Sequence, residues 1–125
     1  MKRNLHRLLV ALIIGAASPL VAAAGWGALL RDSPAEDFND EDLRQFLAAA
    51  KQVLDAPGPP QTLEWSNADS GAGGSLLVLG QSQGQGFDEC RRTRITLYSR
   101  KRQGTPAVVT ACKDPGGRWL LVGAG

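Results

Sequence analysis

Histidine is almost absent from this sequence: the only one, His6, lies within the first ten residues. Imidazole is the usual general base in acid–base and nucleophilic catalysis and the commonest metal ligand. If the N-terminal segment is removed, as argued below, the remaining chain has no imidazole. Phosphate-binding glycine loops are missing too, because the glycine-rich stretches precede strands or turns and not a helix. The sequence therefore predicts a protein that is not an enzyme, with no cofactor and no metal site.

The chain also lacks an apolar run of the length that spans a bilayer, about 20 residues. An unbroken apolar run covers residues 8–14, and Ser18 and Pro19 interrupt its continuation. Three basic residues come before it: Lys2, Arg3 and Arg7. With alanine at positions 22–24, the pattern is typical of a secretory signal peptide cleaved after Ala24. We expect residues 1–24 to be this signal, with an uncleaved anchor as the alternative. A lipid anchor would need a cysteine next to the cleavage site, and the sequence has none there, so a lipid-anchored N-terminus is not expected.

Removal of the signal also removes the excess of basic over acidic residues. The cleaved segment takes three basic and no acidic residues, which leaves 11 basic and 12 acidic side chains. The net charge of +2 of the whole chain is therefore a targeting feature, and no nucleic-acid partner is expected. The remaining charge is segregated: residues 25–70 hold nine acidic and three basic side chains, whereas residues 71–125 hold three acidic and eight basic ones.

Only two cysteines are present, Cys90 and Cys112. Disulfides persist in exported proteins, and two cysteines allow a single internal pairing. We therefore expect a Cys90–Cys112 bond, with two free thiols or a bond between chains as the alternatives. Closing this loop would stabilise the fold by about 3 kcal/mol in the chain-entropy model.

The mature chain divides into a flexible segment, residues 25–37, and one domain, residues 38–125. Asn39 is a good helix N-cap, Asp42 can complete a capping box, and Phe38 and Leu43 occupy the positions of a hydrophobic staple. An apolar stripe recurs at helical spacing: Leu43, Phe46, Leu47, Ala50 and Leu54. Residues 57–60 (PGPP) end this helix.

The pattern then becomes that of strands separated by turns. The predicted strands cover residues 62–66, 75–79, 89–100, 107–112 and 118–122. Between them lie a turn at residues 67–74, a flexible polar loop at residues 80–86, and turns at residues 102–104 and 114–117. The predicted fold class is α+β: one N-terminal helix packed on a four- to five-stranded antiparallel sheet with one disulfide.

Arginines and lysines cluster around the third predicted strand. Alternation places Arg92, Arg94, Tyr98 and Arg100 on one face, and Ile95 and Leu97 on the core face. The first face is a candidate interaction surface for an anionic lipid, a glycan or an acidic protein patch. The alternative is a solvated strand that the acidic helix partly neutralises.

A second candidate site uses Trp65, Asn67 and Asp69 as a small-ligand loop. Core packing is the default interpretation for both Trp65 and Trp119, and a ligand-stacking role would require their exposure on one surface. Glu64 and Asp69 flank Trp65 and could do acid–base work, but the preferred interpretation is that they are ordinary solvated residues of a strand and a turn. The acidic run at residues 37–42 suggests calcium, but it lacks the glycine and distal glutamate of an EF-hand, and helix capping accounts for it.

An ordered set of residues resembles the C-terminal domain of the bacterial 17-kilodalton surface antigens, which include rickettsial outer-membrane antigens. The set is Trp65-Ser66-Asn67, Ser70-Gly71, Gly74, Cys90-Arg91, Ala111-Cys112, Asp114, Gly117 and Trp119. The resemblance covers roughly residues 38–122, and it implies a Gram-negative envelope location and a non-enzymatic domain with a structural or interaction role. The lipid-modified cysteine and glycine zipper of those antigens are absent here. We therefore expect an exported protein, periplasmic or outer-membrane associated, that is not transmembrane after cleavage and whose oligomeric state the sequence does not specify.

Overall fold

The computed structural model describes residues 26–57, 59, 61–84 and 86–124, so the predicted signal peptide lies outside the described part. Two helices, α1 (Gly27–Leu30) and α2 (Asp40–Asp55), flank a 3-10 turn at Pro34–Asp37. Five strands follow: β1 (Thr62–Asn67), β2 (Ala72–Gly84), β3 (Phe87–Tyr98), β4 (Ala107–Lys113) and β5 (Trp119–Ala124). All neighbouring strands pair antiparallel in the order of the chain, which confirms the predicted α+β class.

Helix α2 begins where the sequence predicts. The Asn39 side chain accepts a hydrogen bond from the backbone of Asp42 at 2.8 Å, and the Asp42 carboxylate accepts one from the backbone of Asn39 at 3.0 Å. This reciprocal capping box satisfies two donors that the first helical turn would otherwise leave unpaired. The buried side of the helix includes Phe46 and Leu54, and it packs on β1 and β2.

The hairpin of β2 and β3 is longer than the sequence indicates. Strand β2 continues to Gly84, so most of the predicted flexible loop at residues 80–86 is a paired strand. Register shifts between Val78 and Gly80 and between Ser82 and Gly84 mark bulges in this part of the ladder. Glycine and glutamine have low strand propensity, but pairing with β3 compensates for it.

The segment at residues 26–37 is a folded part of the domain, which corrects its prediction as flexible. Trp26 is only 3% exposed, and its ring packs edge-on against Phe46 with centroids 5.8 Å apart. Its indole N–H donates to the carbonyl of Trp119 at 3.2 Å. The 3-10 turn contacts β3, so the N-terminal segment and α2 lie on the same face of the sheet.

The predicted disulfide is present. Cys90 and Cys112 are direct partners across the β3–β4 ladder, with Cα atoms 4.0 Å apart, and both residues are at most 1% exposed. The bond therefore ties the beginning of β3 to the end of β4, as the hairpin prediction required.

Candidate functional site

The two faces of the sheet differ in what covers them. Thr93, Ile95 and Leu97 of β3 are buried on the face that carries the helices. The alternate residues of β3 lie on the other face, which we call the open face, and none of the described helices packs on it. Cross-strand pairing brings polar residues of β1 and β2 onto the same face: Thr62, Glu64, Ser66 and Ser75. Two apolar residues, Leu77 of β2 and Val108 of β4, are the cross-strand partners of Arg94.

Strand β3 gives the open face its basic character. Arg92 and Arg94 are exposed, and Thr96 and Tyr98 are partly exposed in the same row. Because β3 ends at Tyr98, Arg100 does not belong to the strand, which corrects the predicted bounds of 89–100. Arg100 instead lies beside Gly71 in the β1–β2 turn, where an added Cβ would be 2.9 Å from its Nε.

The other basic residues near β3 are engaged elsewhere. Arg91 points to the helix-bearing face, where it donates to Gln81 at 2.7 Å and lies 5.6 Å from the centroid of the Trp119 ring. Arg102 forms ion pairs with Asp37 at 3.0 Å and Glu36 at 3.9 Å. The hydrogen bond from Arg102 lowers the pKa of the Asp37 carboxyl below its usual value.

The predicted neutralisation by the acidic helix does not extend to Arg94. Glu41 of α2 pairs with Arg44 of the same helix at 2.6 Å, and this contact lowers the pKa of Glu41 to about 2. Asp55 pairs with Lys51 and Lys113. Among the described residues, no carboxylate forms an ion pair with Arg94, so its charge faces solvent.

Two residues of the predicted ligand loop, Trp65 and Asn67, make packing contacts and hydrogen bonds within the domain. Trp65 is 8% exposed, and Phe38 contacts its ring edge-on with centroids 5.3 Å apart. The Asn67 amide donates to Asp42 at 2.8 Å, and its oxygen accepts from the backbone of Asp69 at 3.2 Å. Only Asp69 has an exposed side chain, so the structure does not bring the three residues together as an open pocket.

Asp42 is the centre of this polar cluster and was identified from sequence only as a helix cap. It is 0% exposed, and besides the Asn39 backbone it accepts hydrogen bonds from Asn67 at 2.8 Å and from the Ser70 hydroxyl at 2.6 Å. Burial alone would raise the pKa of Asp42, but the hydrogen bonds from Ser70, Asn39 and Asn67 outweigh it and hold the pKa below its usual value. The buried carboxylate therefore stays ionised and joins the start of α2 to the β1–β2 turn.

No family model, curated protein or solved structure matches this chain. The candidate site is therefore described from its own geometry.

The two carboxylates suggested for acid–base work occupy different parts of the structure. Glu64 is exposed on the open face, and Asp69 is exposed in the β1–β2 turn. Within the described ranges, no group of three or more His, Cys, Asp or Glu side chains is arranged to hold a metal ion. Trp119 is buried, as the core interpretation predicts, and its indole N–H donates to Asp55 at 2.8 Å.

One depression on the open face was not identified from sequence. It has a volume of about 420 Å³ and lies next to the basic row. Its lining includes one residue of the predicted ligand loop, Trp65, together with Glu64, Ser66, Gly74, Ser75, Thr96, Tyr98 and Gln103. These residues come from three strands and one connection, so no local motif could have indicated the site; only the alternation within each strand could be recognised from the sequence.

The helices of the described part of the chain fall short of the length and hydrophobicity that a bilayer requires, and none of them could span a membrane.

Proposed function

We propose that this protein is an exported, non-enzymatic component of a bacterial cell envelope that contacts an anionic envelope component through the open face of its sheet. The observation that carries the proposal is the exposure of Arg92 and Arg94 on the face that the helices leave uncovered. Exposed arginines are strong ligands for carboxylates and phosphates, because the planar guanidinium can donate two parallel hydrogen bonds.

Two features support export. The first is the predicted signal at residues 1–24, and the second is the Cys90–Cys112 bond, since structural disulfides persist mainly in oxidising compartments. The non-enzymatic part of the proposal rests on the loss of His6 with the signal, which removes the usual general base.

The similarity to the 17-kilodalton surface antigens supports the same class of function. Three residues of the similar string, Asn67, Ser70 and Gly71, lie at the end of β1 and in the turn that follows, which Asp42 joins to the helix. We propose that this part of the string is a structural signature of the domain and not a ligand site.

Neutralisation of the basic row tests the proposal. We expect the double variant Arg92→Gln/Arg94→Gln to be retained several-fold less in the envelope fraction than the unaltered protein, because attraction to anionic groups depends on these two charges. The measurement is quantitative immunoblotting of washed envelope and soluble periplasmic fractions.

The matched control is Arg31→Gln/Arg44→Gln, which removes the same charge from exposed residues of the N-terminal segment and of α2. Circular dichroism and thermal melting would verify that both double variants fold. Equal retention of the two variants would show that Arg92 and Arg94 form only a solvated surface.

A further inference from the structure

Tyr98 forms an aromatic platform at one end of the basic row. Its cross-strand partner is Gly73, and the end of the phenol ring occupies the space that a Cβ on this glycine would need, with Cζ only 2.5 Å from that position. The ring therefore extends across β2 toward β1 and does not stand up from the sheet. Because Tyr98 is only partly buried, part of the ring remains accessible from the open face.

Hydrogen-bonding groups surround this platform. Ser66 is the cross-strand partner of Gly73 on β1, and Ser75 and Thr96 form the next cross-strand pair on the same face of the sheet. Glu64, Trp65, Gly74 and Gln103 complete the lining of the depression of about 420 Å³. An accessible ring face with hydroxyl, amide and carboxylate groups around it suits a ligand that has flat C–H faces and many hydroxyls, which is the chemistry of a sugar ring.

Positive charge continues the same surface. Arg94 is four residues before Tyr98 on the same face of β3, and a strand rises about 3.3 Å per residue, so the two side chains start roughly 13 Å apart. A ligand that reaches from the Tyr98 ring to Arg94 must be extended, and it must carry a negative charge where it meets the Arg94 guanidinium. A linear polysaccharide with carboxylates on its sugar rings meets both conditions.

The surface does not suit a lipid bilayer as well. Proteins that lie on membranes insert exposed aromatic or aliphatic side chains into the head-group region. Among the described residues, the only exposed large hydrophobic side chain is Val122, which is 42% exposed and belongs to the edge strand β5. The register places two apolar residues on the open face beside Arg94, Leu77 and Val108, but both are partly buried, so neither is an exposed side chain that could insert into a bilayer.

From this geometry we infer that the open face binds an anionic polysaccharide, with a sugar ring stacked on Tyr98 and a carboxylate of a ring further along the same polysaccharide paired with Arg94. The inference rests on the proposed function and names the class of its partner. The ring supplies recognition of the sugar, and the arginine supplies recognition of the charge.

Calorimetric titration of the purified protein, with its disulfide intact, tests the inference with three probes. Oligogalacturonate carries both rings and carboxylates, its fully methyl-esterified form keeps the rings without charge, and polyglutamate carries carboxylates without sugar rings. We expect oligogalacturonate to bind more tightly than both others and more tightly than phosphatidylglycerol vesicles.

Variants at Tyr98 separate stacking from charge. Tyr98→Leu should weaken oligogalacturonate binding by about threefold to tenfold, the range that one aromatic contact contributes, and leave polyglutamate binding unchanged. Tyr98→Phe keeps the ring and should bind nearly as the unaltered protein does. Circular dichroism and unchanged polyglutamate binding would verify that Tyr98→Leu is folded. Arg94→Gln should weaken both anionic probes.

Two outcomes would overturn the inference: polyglutamate or vesicles that bind as tightly as oligogalacturonate, or unchanged oligogalacturonate affinity in Tyr98→Leu. If either occurred while Arg92→Gln/Arg94→Gln still lost envelope retention, only the polysaccharide would be excluded. If retention were also unchanged, the proposed function would fail with it.

Discussion

At the scale of single residues, the buried carboxylate of Asp42 has more partners than a helix cap requires. A cap needs only the contact with the Asn39 backbone, whereas the two side-chain donors of the β1–β2 turn, Asn67 and Ser70, come from 25 and 28 residues away. A buried charge is stable only when its hydrogen-bonding capacity is satisfied, and here three donors satisfy it. The residue therefore fixes the position of α2 on the sheet.

Asp42→Asn tests this role. An asparagine keeps one acceptor oxygen but places an NH₂ group against groups that themselves donate, so at least one buried donor loses its partner. We expect the free energy of unfolding to fall by about 2 to 4 kcal/mol, which is the range for losing hydrogen bonds to a buried charge. Urea unfolding followed by circular dichroism measures it.

Asp40→Asn is the control, because Asp40 is exposed in the same helical turn and its loss affects only the helix dipole, worth about 0.3 to 1 kcal/mol. Equal stability of the two variants would contradict a special role for Asp42.

At the scale of elements, the long β2–β3 hairpin both presents the basic row and covers the disulfide. Near the tip of the hairpin, Gly84 packs directly on the sulfur atoms: an added Cβ would be 2.6 Å from Sγ of Cys112 and 3.0 Å from Sγ of Cys90. No side chain fits there unless the hairpin moves. The absence of a side chain at this position is what allows the bond to be buried.

Gly84→Ala should therefore displace the tip of the hairpin from the disulfide. We expect a loss of stability of about 1 to 3 kcal/mol from overpacking, together with several-fold faster reduction by dithiothreitol, since reduction requires access to a sulfur atom. Timed alkylation and mass spectrometry measure the reduction rate.

Gly123→Ala is a suitable control, because a Cβ at that glycine of β5 would meet no described atom within 4 Å. Unchanged protection of the disulfide in Gly84→Ala would mean that the hairpin does not cover it.

At the scale of the whole molecule, charge pairing makes the folded state sensitive to acid. Within the described residues, five carboxyl groups have pKa values below their usual ones: Asp37, Glu41, Asp42, Asp55 and Asp114. In the unfolded chain these groups return to ordinary values near 4, so on acidification the unfolded state binds protons before the folded state does. Their contribution to stability is therefore present above the unfolded pKa values and is lost as the pH falls through the folded ones.

We expect the free energy of unfolding to be nearly constant above about pH 5 and to decrease steadily from there toward pH 2. Urea titrations at fixed pH values measure this dependence. High salt should weaken the part that comes from exposed pairs such as Glu41–Arg44, and should affect the buried Asp42 cluster less. Greater stability at pH 3 than at pH 7 would contradict this account.

Features with local causes could be predicted from the sequence. The start of α2 follows from Asn39 and Asp42, which act within one helical turn, and the core face of β3 follows from the alternation of Ile95 and Leu97. The pairing of Cys90 with Cys112 was predictable because only two cysteines exist and a hairpin brings them together.

The candidate site was predictable only in part. Alternation placed Arg92, Arg94 and Tyr98 on one face correctly, but it extended the strand to Arg100. The ligand loop predicted from Trp65, Asn67 and Asp69 is not assembled as one site, because Trp65 packs in the core and lines the depression whereas Asn67 belongs to the Asp42 cluster. Which polar residues line the depression depends on the register of three strands, and a strand's own sequence does not contain that register.

Capping, periodicity and turn chemistry act between residues that are neighbours along the chain. They were therefore enough to predict helix α2, the order of the five strands and the single disulfide, but not α1 or the 3-10 turn. Three features emerge only in the folded chain: Trp26 belongs to the core, β2 continues to Gly84, and Asp42 is the partner of Asn67 and Ser70. Each of these depends on groups far apart in sequence, whose contact becomes favourable only after the sheet has brought them together.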